Sequence, residues 1–191
     1  MAIHPQLPNA ITLARIPLAI VFFVLLLIGG AFGDAHTGLR WTAAILFIVA
    51  ISTDWVDGYL ARKYEIVSDF GKLWDPIADK LLTGLAFVGL ACLGEMAWWM
   101  VIVILIREWG VTVHRLMVRR THVVAAAWLG KIKTAVQGVV LSWALLPLDV
   151  LIGRDAWTIV TLIGMWAVVV LTVVSGIDYV LAQVRGSRTS A

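Results

Sequence analysis

Charge is scarce in this chain. Only 14% of its 191 residues are charged, against 61% apolar, a balance that excludes an ordinary water-soluble domain. Cysteine is scarcer still. Cys92 stands alone in an apolar run, which excludes an intrachain disulfide and a cysteine-rich zinc site and reads as a small packing residue. The opening MAIHPQLPNA lacks the basic, then apolar, then small-residue order of a cleaved signal peptide, so the first apolar run is expected to stay. There is no repeat of fixed period and no low-complexity tract. The formal charge of +3 carries little meaning by itself, and no nucleic-acid partner is expected.

What the chain does have is apolar runs near the ~20 residues that a membrane-spanning helix needs. Six are expected, at about Ile11–Ile28, Trp41–Ser52, Pro76–Leu93, Ala97–Val113, Thr134–Val150 and Trp157–Val180. The expected fold is one all-α integral membrane domain of six transmembrane helices over 1–191, with a short leading segment 1–8 and a disordered basic tail 185–191. Asn9 after Pro8 fits a helix cap, Pro17 a kink, and Gly29–Gly30 the end of the first span. Gly71 is read as breaking the connection after the second span, and Pro76 as lying in the first turn of the third helix. Trp41, Trp74, Trp98, Trp99 and Trp157 fit an interfacial belt.

The basic residues test this topology. With both termini cytoplasmic, thirteen of the fifteen Lys and Arg residues fall on the cytoplasmic side, and Arg40 and Arg154 are left on the other. That bias orients the chain.

Between the second and third runs lie Asp54, Asp57, Asp75 and Asp79. Asp54, Asp57, Gly58 and Ala61 stand at i, i+3, i+4 and i+7, on one face of a helix; Asp75 and Asp79 are one turn apart on the next. Carboxylates at the edge of hydrocarbon are costly unless they pair, protonate or bind a cation. A purely structural network would have to satisfy all four together, and no four matching cations share their faces. Oxygen-only ligands suit a hard cation, Mg²⁺ or Mn²⁺, and two helix faces with two carboxylates each could hold two such ions. Gly58 and Ala61 leave a shallow trough beside them, unless they serve only close helix packing. Arg62 could clamp a phosphate there, or simply reach the lipid headgroups.

The run Asp54-x2-Asp57-Gly58-x2-Ala61-Arg62-x8-Gly71-x3-Asp75-x3-Asp79 resembles the full motif of the CDP-alcohol phosphotransferases. LPNAITLARIPL, DFGKLWDPIADKLL, IREW and AAAWLGKIKTAVQ, from about Leu7 to Gln137, are similar to the bacterial branch of that family that makes phosphatidylglycerophosphate. The resemblance implies transfer of a phosphatidyl group from CDP-diacylglycerol to sn-glycerol 3-phosphate, with release of CMP, in a homodimer among membrane lipids. It implies that Asp54, Asp57 and Asp75 bind one metal ion, that Asp57, Asp75 and Asp79 bind a second, and that Asp79 is the general base. Gly58, Ala61, Arg62, Ser68 and Gly71 would meet the CDP portion, and Asn9 and Thr12 would lie in the donor region.

A phosphorylated acceptor calls for fixed cations, and Arg107, Arg115, Lys131 and Lys133 are the candidates. Arg107 could instead be the intramembrane partner of Glu108. Lys131 and Lys133 do not share a helical face, so one of them could serve topology alone. His114 and His122 are read as interfacial or acceptor-pocket polar groups rather than as metal ligands. Alternatives remain in phosphatidylglycerol or inositol phosphate as acceptor, in a divalent-cation transporter, and in a structural membrane scaffold.

Overall fold

The computed structural model describes the backbone of residues 7–63, 69–117 and 127–188, and the side chains of 14–53, 77–114, 117 and 128–184. Seven α-helices and no strand occur among the described residues: α1 (Leu7–Gly29), α2 (Thr37–Lys63), α3 (Asp69–Cys92), α4 (Trp98–Met117), α5 (Ala127–Leu145), the single turn α6 (Asp149–Ile152) and α7 (Arg154–Arg188). The six long helices form a closed ring in which α2, α5, α7, α4 and α3 are successive neighbours, and α1 packs against both α2 and α3.

Small and aromatic residues set the spacing on the inside. Phe22 and Phe47 meet at 5.3 Å between ring centroids, beside the buried Ala43 and Ala44. Gly89 makes room for α1, since a Cβ there would fall 2.5 Å from Leu26 Cδ2. The outside is apolar as well: Ile45, Ile106, Val139 and Ile163 are each more than half exposed. A bundle apolar on both sides matches hydrocarbon surroundings better than water. Among the described residues, one segment is by itself long and apolar enough to cross a bilayer, Arg154–Val184 with mean hydropathy 2.3; α1 and α2 hold shorter apolar segments, Ala14–Gly29 and Thr37–Thr53. Asp79, Lys80, Arg107 and Glu108 interrupt the apolar runs of α3 and α4.

The end of the bundle where α1 turns into α2 is locked by Arg40, which is 1% exposed. Its guanidinium grips Glu95 with two hydrogen bonds of 2.7 and 2.8 Å. It also donates to the carbonyls of Leu145 and Ala144, at the end of α5, at 2.8 and 3.1 Å. A helix terminus leaves its last carbonyls without intrahelical partners, so Arg40 ties three connections together. Burial pushes the Glu95 carboxyl up, against Arg40 and the Phe32 N–H, which favour its charged form. Phe32 lies in a short 3₁₀ turn with φ of 53°, a conformation held by that N–H bond to Glu95 at 3.2 Å.

Several sequence expectations are corrected here. Gly71 and Pro76 both lie inside α3, which begins at Asp69; Gly71 breaks nothing, and Pro76 is a full turn or more beyond the start. α2 runs on to Lys63, through Gly58 and well past the end of the apolar run at Ser52. Residues 185–188 of the basic tail continue α7. Trp157 is buried, 1% exposed, and stacks on Trp143 at 4.7 Å, so it is a core residue rather than a belt residue. Cys92, at the last position of α3, is exposed rather than packed.

Candidate active site

The other end of the bundle gathers the charges. Asp54 and Asp57 belong to the later part of α2, and Asp75 and Asp79 to the earlier part of α3. The side chains of Asp54, Asp57 and Asp75 lie outside the described residues, as do those of Asn9, Thr12, Gly58, Ala61, Arg62, Gly71 and Arg115 and all of Ser68 and His122. Asp79 is described. Its side chain is 23% exposed, with Oδ2 3.5 Å from Lys80 Nζ. That is longer than a charge-assisted hydrogen bond of ~2.7–2.9 Å, so both oxygens keep lone pairs for a cation or a proton. Among the described residues no three His, Cys, Asp or Glu side chains group as a metal site. The chemistry of Asp79, a hard and partly exposed carboxylate, fits the expected ion.

Glu108 is the centre of the described cluster. It is 3% exposed on α4 and draws in three cations from three helices. Lys80 of α3 pairs with Oε2, while Lys133 of α5 pairs with Oε1. The neighbouring Arg107 donates from Nη1 to Oε1 at 2.7 Å, and its Nη2 donates to Ser175 Oγ of α7 at 3.0 Å. A carboxylate this deep is tolerable only when paired. Lys80 also faces Asp79, so the chain Asp79–Lys80–Glu108–Lys133 links the aspartate helix to the cations proposed for the acceptor.

Of the four acceptor candidates, Arg107 and Lys133 converge on Glu108, with Lys133 fully buried. Lys131 is exposed, on another face of α5. His114 meets the Tyr179 hydroxyl through Nδ1 at 2.7 Å. Sequence reasoning counted Lys80 only for topology and Glu108 only as a neighbour of Arg107. It did not single out Ser175 or the buried Gln137, one turn beyond Lys133. The available signals were the adjacency of Lys80 to Asp79 and the i, i+4 spacing of Lys133 and Gln137.

Comparison with known proteins bears on what such an end is for. The family profile described as CDP-alcohol phosphatidyltransferase matches residues 5–174. The chain belongs to that family. Members of the CDP-alcohol phosphatidyltransferase family generally work with divalent metal ions. Within the family, the chain is 42% identical over 189 residues to a "probable phosphatidylglycerophosphate synthase" of Mycobacterium tuberculosis, covering 97% of this chain and 87% of that one. It is 42% identical over 195 residues to the CDP-diacylglycerol–glycerol-3-phosphate 3-phosphatidyltransferase of Bacillus subtilis, covering 97% and 98%. A protein of the same name from Rickettsia prowazekii is 36% identical over 185 residues, covering 94% and 96%.

Proposed function

We infer that this CDP-alcohol phosphotransferase transfers the phosphatidyl group of CDP-diacylglycerol to sn-glycerol 3-phosphate, giving phosphatidylglycerophosphate and CMP. Family membership and the names of relatives aligned along nearly the whole chain support the reaction. The observation that carries a phosphorylated acceptor is the cluster around Glu108, where three cations face one buried carboxylate, and the relatives' names favour glycerol 3-phosphate among such acceptors. An alcohol bearing a phosphate dianion suits such a surplus; a neutral polyol does not.

In this reading the acceptor hydroxyl attacks the phosphatidyl phosphorus. One P–O bond forms to the acceptor, the P–O bond to CMP breaks, and the hydroxyl proton passes to an Asp79 carboxylate oxygen. Asp54, Asp57, Asp75 and Asp79 would hold two divalent ions, Mg²⁺ or Mn²⁺, which supply charge neutralisation at the pyrophosphate. Gly58, Ala61, Arg62, Ser68 and Gly71, with Asn9 and Thr12, would seat the nucleotide and donor. Arg107 and Lys133, helped by Arg115 and Lys131, would orient the acceptor phosphate.

The six long helices would span the inner membrane with both termini and the aspartates on the cytoplasmic side, a reading supported by the skew of Lys and Arg along the sequence. The family resemblance supports a homodimer.

The deciding assay incubates purified protein with CDP-diacylglycerol, Mg²⁺ and one acceptor at a time. CMP release with glycerol 3-phosphate, and none with phosphatidylglycerol or inositol phosphate, is expected. Release with one of the others alone would overturn the acceptor.

A further inference from the structure

Glu108 has more partners than its own charge requires. Lys80, Arg107 and Lys133 bring three positive charges to its single negative one; Asp79, 3.5 Å from Lys80, offsets one of them, and the cluster keeps a positive surplus. The cations also have donors to spare. Arg107 Nε is buried and makes no hydrogen bond among the described residues, and the Lys133 ammonium, with three N–H groups, spends its contact on Glu108 Oε1 alone. Three cations converging from α3, α4 and α5 on one pair of oxygens is the arrangement that a phosphate group would also attract.

We propose that Glu108 is an internal stand-in for the acceptor's phosphate, holding Arg107 and Lys133 in place until the phosphate takes them over. The inference rests on Arg107 and Lys133 being acceptor-phosphate ligands. When a phosphate dianion enters, Arg107 and Lys133 turn their unused donors to it, and Lys80 keeps Glu108 paired. The dianion then takes up the positive surplus that Glu108 and Asp79 leave. Glu108 is thus a positioning residue. It keeps the cations from repelling one another before a phosphate arrives, and it leaves a positive surplus that favours an anion.

The test compares wild type with Glu108→Gln, both as full-length protein in detergent. The thermal unfolding midpoint is followed against inorganic phosphate, with ionic strength held constant by chloride. The glutamine variant has lost the internal anion. It is expected to be destabilised without phosphate, restored by it, and to bind it about tenfold or more tightly than wild type does. A merely structural ion pair predicts equal destabilisation at every phosphate concentration, and that outcome overturns the proposal. If Glu108→Gln does not fold, Glu108→Asp keeps the charge but cannot reach all three cations; a phosphate response no stronger than that of wild type then overturns it equally. CMP release by wild type with glycerol 3-phosphate is measured alongside. Its absence refutes the acceptor reading itself, whereas its presence with an unchanged phosphate response refutes only the role of Glu108.

Discussion

Replacing Asp79 by asparagine removes the proposed proton acceptor and one of the four proposed metal-binding carboxylates while preserving shape. CMP release is expected to fall by about 10²–10⁴-fold. The unfolding midpoint should hardly move, because the contact to Lys80 is long and partly solvated, and such pairs contribute about 0–1 kcal/mol. An active Asp79→Asn protein would remove Asp79 from the chemistry. At this scale the sequence was legible where residue type and spacing sufficed. The four aspartates and Arg107 stand out by their cost in an apolar chain, and of the four the structure describes the side chain of Asp79. The partnership of Lys80, Glu108 and Lys133 was not legible, since it exists only once three helices have packed. Nor could the sequence decide between Lys131 and Lys133, which sit about 200° apart on a helix; packing turned Lys133 inward.

Among the helices, the strongest non-catalytic tie is Arg40, which joins the start of α2 to the loop before α4 and to the end of α5. Arg40→Met strands the Glu95 carboxylate and uncaps the last carbonyls of α5, and should cost about 3–5 kcal/mol. Glu95→Gln leaves Arg40 its carbonyl partners and should cost about 1–3 kcal/mol. Chemical denaturation in detergent gives the order, while CMP release per folded molecule should not change, because this tie lies at the end remote from Asp79. The existence of the long helices was legible from apolar runs and their breaks. Their limits were not. A proline or glycine can sit inside a helix whose neighbours pack well, as Pro76 and Gly71 do in α3, and α7 runs on through the polar residues 185–188 despite Gly186. Trp157 went astray for a related reason: its position at the start of an apolar run suggested the interface, but Trp143 of α5 stacks over it.

For the molecule as a whole, orientation is open to a direct measurement, because the one cysteine is also exposed. Cys92 ends α3 at the far side from Asp79. With the aspartates cytoplasmic, a membrane-impermeant maleimide should label Cys92 in intact spheroplasts, and labelling only in inverted vesicles would reverse the topology. The ring of helices could not be read from the sequence, since apolar runs give no neighbour relations. Charge skew, by contrast, sets Arg40 and Arg154 apart before any packing is known, and the structure keeps them apart in space from Lys80, Arg107 and Lys133.

The pairing of Arg107 with Glu108 also bears on how the chain enters a membrane. A lone charge at the centre of an inserting helix costs about 2.5–3.5 kcal/mol. In the proposed six-span topology α4 carries both signs on adjacent residues, joined at 2.7 Å, so it would bring its own counter-ion into the bilayer. Lys80 and Lys133 can then be recruited as α3 and α5 dock. The cluster would thus be assembled helix by helix, with an already neutralised carboxylate as the seed.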